Sequence, residues 1–479
     1  MDFLKTRGRD IIDEHGSVIY LRGICVGGWM NLEDFINAYP GTESGIRNHI
    51  SQILGKSKGE QFFELMSDNF FAEKDIQFIA QTGATCVRLP LNIRHFESDD
   101  EPFVYNQNAY KKLDAILDLC EKYGVYAILD MHAAPGWQNC HWHSDNERGV
   151  SLLWRHSHFQ DRLIGFWQET ARHYANRAVV AGYELLNEPS SGNPSGEHPF
   201  DFYQNFHPDW FRINDLYKRT SAAIREIDPK HMIFLEGDNY ARLFSGFDEP
   251  FDTNLVYSSH NYTNPGFGPG KYPGYYNGIY WDKNHHKLEL QIQEGTIYAE
   301  KYNVPLLIGE FGSQYHGTSE DVVYRLESMK DQLDIYNEAG LNWTAWTYKD
   351  AGIMGLVTLS PKSEYMCIVE PVQEMKRKLG AENFVAQYWD CPGRSQSRAL
   401  ADLILTTSQN TELNLNDTAY TFNYAVLTGF AAAMLQPSYA KRFANVTYKD
   451  IERIMSAFLF ENCEVNHAYH EILKSALAK

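Results

Sequence analysis

No apolar run in the 479-residue chain reaches the roughly 18 residues of a membrane-spanning helix, so no such span is expected. Positive charge is scarce: 43 Lys and Arg face 62 Asp and Glu, a formal net charge of −19. That balance excludes a groove tracking nucleic-acid phosphates and disfavours an anionic membrane surface. It suits a neutral substrate better than an acidic polymer. Cysteine is also sparse. The seven (Cys25, Cys86, Cys120, Cys140, Cys367, Cys391, Cys463) are odd in number and scattered, unlike a disulfide framework. The first three lie in apolar segments, as buried free thiols do. The opening residues Met1–Arg7 turn polar at once and lack an apolar signal core. Together these features point to a reducing compartment and a cytoplasmic protein. The segment Cys25-Val26-Gly27-Gly28-Trp29 has neither the glycine pattern that cradles a dinucleotide phosphate nor the His-x-His of a metal-dependent hydrolase.

What is present is a rhythm. Eight short β-rich runs begin with Ile19–Val26, Thr85–Pro90, Val125–His132 and Ala181–Glu188. They continue with Met232–Gly237, Leu255–His260, Val304–Glu310 and Leu341–Trp346. Between them, apolar residues recur at helical spacing over 72–82, 109–123, 159–175, 213–227, 286–302 and 319–339. Strands alternating with helices require parallel pairing, because parallel neighbours need a crossover. The spacing therefore predicts an α/β fold, a (β/α)8 TIM barrel over residues 1–375. A helical C-terminal extension over 376–479 packs on it, with helices at 398–407, 418–435 and 448–460. A hairpin over residues 8–20, turning at His15-Gly16, is expected to cap the barrel floor.

Polar residues gather at the C-terminal ends of these runs: Asp130 and His132, Asn187 and Glu188, Glu236, His260, Glu310 and Trp346. Barrel active sites are built at that face. Asn187-Glu188-Pro189 and Glu310-Phe311-Gly312 end the fourth and seventh runs, which a closed barrel brings across one pocket. Two carboxyl groups so placed can break a glycosidic bond, one protonating the leaving oxygen while the other attacks the anomeric carbon. Aromatic residues, 14% of the chain, supply a core and also flat faces that match pyranose rings. Arg88, set among apolar neighbours, would be costly without a carboxylate partner.

These motifs come in order: Arg22-Gly23 before Gly28-Trp29, Arg88-Leu89-Pro90, Asp130-Met131-His132, Leu186-Asn187-Glu188-Pro189, His260-Asn261-Tyr262, Ile308-Gly309-Glu310-Phe311-Gly312 and Trp346. In them the sequence resembles glycoside hydrolase family 5 over roughly residues 8–375. The resemblance implies a retaining double displacement with Glu310 as nucleophile and Glu188 as acid/base. Arg88 and the Tyr262 hydroxyl hold Glu310 ionised, and Asn187 bonds the sugar 2-hydroxyl. His132 and His260 bind hydroxyls or orient carboxylates, and Trp346 lies under the sugar. A structural histidine or a tryptophan that merely packs the barrel is the alternative for the last three. Glu236 either lines the pocket or braces it. As an acid near neutral pH, Glu188 is expected to titrate above the ~4.3 of a free glutamate.

The loop Cys140-His141-Trp142-His143-Ser144-Asp145 lacks a second ligand pair at zinc-like spacing, so Trp137, Trp142 and the histidines are read as sugar-binding. No metal or cofactor is called for. The aromatic stretch 263–281 is expected to wall the pocket. Long insertions at 133–158, 189–212 and 263–285 would crowd the barrel mouth and favour a pocket over a cleft. The expected activity is therefore exo-acting on short β-linked glycosides, of β-glucosidase or β-mannosidase type. An endo-acting glucanase or mannanase, an arabinofuranosidase and an inactive sugar-binding barrel are the rivals. Oligomeric state is not legible.

Overall fold

The computed structural model describes residues 1–192, 206–262, 267–268, 270–382, 391–409 and 414–479. Parts of the expected loops 189–212 and 263–285 therefore lie outside the described residues. The strands are β1 (Lys5–Arg7), β2 (Asp10–Ile12), β3 (Arg22–Cys25), β4 (Cys86–Asn92), β5 (Tyr126–Ala133), β6 (Val180–Glu184), β7 (Met232–Glu236) and β8 (Leu255–His260). They continue with β9 (Gly274–Tyr276), β10 (Ile279–Trp281), β11 (Leu306–Glu310), β12 (Asn342–Ala345), β13 (Lys349–Asp350), β14 (Val357–Leu359) and β15 (Cys463–Val465). Eight of them close a parallel barrel in the order β3-β4-β5-β6-β7-β8-β11-β12. These are the eight runs expected, shorter at most ends but carried on to Asn92 in β4 and Ala133 in β5.

Alternation along each barrel strand sorts side chains into an inner and an outer set. Near the N-terminal end the inner set is apolar, with Cys86, Ile128, Phe234, Val256 and Leu307 in one buried cluster. Leu4 and Ile11 of the N-terminal hairpin join that cluster and plug the floor. The hairpin forms as β1 and β2 with the turn at Gly8-Arg9, earlier than expected; the His15-Gly16 turn serves a single further bridge, Ile12 to Val18. One step up each strand the inner set turns polar: Arg88, Asp130, Glu184, Glu236, Ser258 and Gly309, all buried.

Helices cover the outside. Glu73–Thr82, Gln107–Tyr123, Ser157–Tyr174, Trp210–Arg225 and Ser319–Glu338 stand where apolar spacing placed them. The stretch 286–302 is not one helix. It breaks at Gln293, whose backbone is extended, into Lys283–Ile292 and Glu294–Tyr302. The break presents Glu294 to the backbone N–H groups of Phe244 and Ser245, at 2.6 and 2.8 Å. Residue 375 falls inside the last barrel helix, Glu364–Leu379, which ends at Gly380 in a left-handed cap.

The extension is less purely helical than expected. The stretch 418–435 is interrupted by a π-helix, Asn423–Ala431, between Leu415–Phe422 and Ala432–Lys441. Farther on, β15 pairs antiparallel with β14, which pairs parallel with β13. This three-stranded sheet stitches the extension to the segment leaving the barrel. At its seam lies Lys349, fully buried, whose ammonium donates to the carbonyls of Phe70 and Phe458 and pairs with Asp75 at 2.7 Å. Removing one partner of a buried pair strands the other charge. Lys349→Met should therefore destabilise the chain by about 3 kcal/mol, measured as a lower denaturant midpoint. Barrel and extension should still unfold in one transition. An early separate loss of the extension would show that the seam is not shared.

Candidate active site

Arg88 is fully buried in the centre of the barrel, and each edge of its guanidinium is occupied. Nε donates to Glu184 Oε2 at 2.5 Å, Nη1 to Glu310 Oε1 at 2.7 Å, and Nη2 to Asn187 Oδ1 at 2.8 Å and Glu236 Oε1 at 3.1 Å. Asp130 adds a fourth carboxylate, 3.1 Å from Nη2. The planar fork of arginine suits such a multidentate role; a lysine could not reach in so many directions. Burial lowers the guanidinium's proton affinity, but the surrounding carboxylates raise it well above the ordinary arginine value.

Two local departures from regular backbone aim the central glutamates. In strict alternation Glu310 would share the outward face of Ile308. The pairing of β11 with β8 instead slips by one residue between Ile308 and Glu310, and this bulge turns Glu310 inward. The extra residue is Gly309, where a Cβ would lie 2.6 Å from Ser258 Oγ. Glu188 lies beyond the end of β6 with φ +45°, the left-handed region that non-glycine residues seldom occupy. It is held there by its N–H donating to Glu236 Oε2 at 2.6 Å and by Asn139 donating to its carbonyl at 2.9 Å. One carboxylate oxygen of Glu188, one of Glu310 and a nitrogen of His260 all lie within 4.8 Å of one another.

The two carboxylates have different surroundings. Glu310 accepts from Arg88 and, at 2.9 Å, from the Tyr262 hydroxyl. Glu188 faces two imidazoles, His260 Nδ1 at 2.8 Å from Oε1 and His143 Nε2 at 3.2 Å from Oε2. Burial raises the Glu188 carboxyl, but the His260 hydrogen bond and the nearby imidazoles outweigh it and bring it down to about 2. The expectation that Glu188 titrates above a free glutamate is therefore not met: its carboxyl lies below that value. His260 is shifted the opposite way: burial lowers that imidazole, while Glu236, Glu310 and Glu188 together lift it well above its ordinary value. His132 behaves likewise. Burial depresses it, but Asp130, 2.7 Å from Nδ1, carries it up to about 10. Burial brings His143 down to about 4. Glu236 is lifted by burial, with the Glu184 charge adding, to about 8.

Above this layer opens a cavity of about 420 Å³. Of the residues singled out in the sequence, Glu188, Glu310, His132, His260, Tyr262, Trp346, Trp142 and the loop histidines His141 and His143 line it. Trp346 lies parallel to His132, 6° between planes at 5.4 Å, and fits because residue 27 is glycine: a Cβ there would be 2.7 Å from its ring. Arg88, Asp130, Asn187 and Glu236 are fully buried and support the floor from beneath. Trp137 does not line the cavity, because a left-handed turn at that residue (φ +63°) carries the chain past it. Among the described aromatics of 263–281 only Phe267 reaches the cavity. Tyr275 and Tyr280 are exposed on the β9–β10 hairpin, which turns at Asn277-Gly278. Sequence reasoning missed Glu33, Glu184, Tyr240, Tyr420 and Tyr424. Glu184 carried the same signal as Arg88, a charge inside an apolar run. Glu33, 3.5 Å from His132 Nε2, carried none.

The Glu236 shift has a consequence for stability. Its carboxyl loses its proton near ~4.3 in the unfolded chain but at about 8 in the folded one. Between those values the folded state binds the extra proton, so stability falls as pH rises. Glu236→Gln removes that titration. The variant should gain on the native protein in melting temperature from pH 5 to pH 8; a constant difference across that range would show that Glu236 is already ionised at pH 5.

The model of the cellulase family (glycosyl hydrolase family 5) matches residues 52–352. A β-xylosidase of Phanerodontia chrysosporium is 34% identical over 490 residues, covering 99% of this chain and 98% of that one. Endoglucanase C of Acetivibrio thermocellus is 28% identical over 320 residues, 59% of this chain and 85% of that one. Among solved structures, an endogalactoceramidase superposes with TM-score 0.51 at 18% identity, covering 73% of this chain and 75% of that one, a likeness of fold. The chain belongs to glycoside hydrolase family 5, and it is a glycosidase built on a (β/α)8 barrel.

Proposed function

We propose that this glycosidase is a retaining, exo-acting enzyme that releases a terminal β-linked xylosyl or glucosyl unit from short glycosides. The observation that carries the reading is the close pair of unequal carboxylates, within 4.8 Å, at the bottom of a walled pocket. Carboxyl groups roughly 5–5.5 Å apart leave no room for an attacking water between carboxylate and sugar, and favour attack by the carboxylate itself. Glu310, held by Arg88 and Tyr262, is the nucleophile. Glu188 is the acid/base.

The low proton affinity of Glu188 fits this role through His260. The proton rests on Nδ1, 2.8 Å from Glu188 Oε1. As negative charge builds on the leaving oxygen, the proton moves along that hydrogen bond to Glu188 and on to the leaving group. Esterification of Glu310 then removes a neighbouring negative charge, and Glu188 accepts a proton from the incoming water. His132 and Trp346 form the floor under the sugar, and Arg88, Asn187, Asp130 and Glu236 fix the carboxylates from below.

Exo action is supported by the walls. Loops after β5, β6, β7 and β8 contribute Trp142, Phe206, Tyr240 and Phe267, and the extension contributes Tyr420 and Tyr424. The family model ends at residue 352, so the last two lie beyond it. The sugar assignment leans on the full-length relative, a β-xylosidase, which was not among the activities expected from sequence.

Two experiments test the reading. Early proton NMR of aryl β-xyloside hydrolysis should show the β-anomer first; an α-anomer would reject the close-pair mechanism. Glu310→Ala should abolish turnover, with azide returning an inverted glycosyl azide. Glu188→Ala should cost about 10²–10⁴-fold on poor leaving groups and far less on activated ones, with azide accelerating release and configuration retained. Identical behaviour of the two variants across leaving groups would undo the assignment of roles.

A further inference from the structure

The helix pair Leu415–Phe422 and Asn423–Ala431 reaches back over the barrel mouth. Tyr420 and Tyr424, four residues apart on one helical face, both line the catalytic cavity. Tyr424 stacks on His141 with ring centroids 4.7 Å apart and 10° between planes, and His141 stacks in turn on Tyr240 at 4.8 Å. Trp142 runs nearly parallel to both, 16° from His141 and 21° from Tyr424. Two independent parts of the chain thus make one wall of parallel rings.

The position of the wall relative to the carboxylates matters. His141 and Trp142 immediately precede His143, whose Nε2 lies 3.2 Å from Glu188. Trp142 also donates to Glu33 at 3.3 Å. The wall therefore flanks the glutamate that protonates the leaving oxygen, while Tyr262 and Phe267 flank Glu310. A second cavity, of about 290 Å³, shares His141, Trp142 and Tyr424 with the first. Its far side is made by Thr42, Asn146 and Arg148 of the barrel loops and Thr428, Phe430 and Ala433 of the extension. The helix that continues from the π-helix, Ala432–Lys441, is fastened to the barrel, where Gln436 donates to the Thr42 carbonyl at 3.4 Å and Tyr439 bonds Tyr365 at 2.7 Å. The wall is consequently held by buried contacts.

We propose that the C-terminal extension builds the leaving-group subsite: the rings of Tyr424 and Trp142, braced by His141, receive the ring of the departing group, pyranosyl or aryl, and the adjoining second cavity takes its distal part. The inference rests on the exo-glycosidase reading and deepens it. Ring faces present C–H-matching, polarisable surface to a sugar and an offset-stacking partner to an aryl group. Neither interaction is available to a leaving group without a ring.

The test compares kcat/KM for xylobiose, phenyl β-xyloside and β-xylosyl fluoride, the last having no ring to stack. Tyr424→Ala should lower the xylobiose-to-fluoride ratio about tenfold, mainly through KM, and Tyr424→Trp should restore it. A matching loss on phenyl β-xyloside assigns aryl recognition as well; retention there assigns the subsite to sugars. Trp142→Ala, on the barrel side of the wall, should move the ratio in the same direction and serves if the first variant folds poorly. Thr428→Phe, filling the second cavity, should lower xylotriose relative to xylobiose. An unchanged ratio in both Tyr424→Ala and Trp142→Ala, or equal losses on all three substrates, overturns the subsite. A native protein that cleaves neither these three nor their β-glucosyl counterparts overturns the parent reading instead, so the two failures are told apart.

Discussion

A guanidinium with no access to water sits among four carboxylates, and the active site is arranged around it. Burying Arg88 is costly unless its charge is met and its N–H groups are bonded. Glu184, Glu236, Glu310 and Asp130 meet the charge, and Asn187 takes another donor. The carboxylates need Arg88 equally, since without it four acids would face each other in a dry barrel. This mutual dependence sets the proton inventory above it. Burial, with the Glu184 charge adding, lifts Glu236, while the carboxylates beside His132 and His260 raise the proton affinity of both imidazoles. The imidazole of raised proton affinity, His260, thereby stands one hydrogen bond from Glu188, whose own affinity is low.

The barrel supplies this chemistry through a vertical gradient. Along each strand the inward positions pass from apolar at the floor, where the N-terminal hairpin plugs the end, to charged at the mouth. The apolar layer excludes water from below and strengthens every electrostatic contact above it. The walls come from elsewhere. Loops after four strands and the helices beyond residue 414 enclose the space above the carboxylates, so a fold shared with endoglucanases presents a pocket here. The extension is joined through the β13–β14–β15 sheet and the buried Lys349, which makes pocket shape and chain stability parts of one structure.

Much of this is legible in the sequence alone. Period-two runs ending in acids, separated by helical spacing, are sufficient for a barrel whose functional face is the strand C-termini, because both periodicities are local properties of the backbone. Glu188, Glu310, His132, His260 and Trp346 could be singled out for the same reason, each being a polar or aromatic residue at or just past a buried strand end, whereas Tyr262 came from the resemblance alone. A charge inside an apolar run, as at Arg88, announces its own partner.

What tertiary structure decided lies where local periodicity fails. Alternation alone sends Glu310 outward with Ile308; only the slip of β11 against β8 at Gly309 turns it in. Glu188 occupies left-handed backbone because Glu236 and Asn139 hold it there, and its low proton affinity comes from imidazoles 45 and 72 residues away in sequence. Trp137 and most aromatics of 263–281 read as binding residues by type, yet backbone turns direct them elsewhere. Tyr424 reads as an ordinary helical tyrosine and stands over the active site. Composition and spacing specify which groups a strand end carries, because those depend on neighbours along the chain. Aim, protonation and enclosure depend on neighbours in space, and these were set only when the barrel closed and the extension folded back across its mouth.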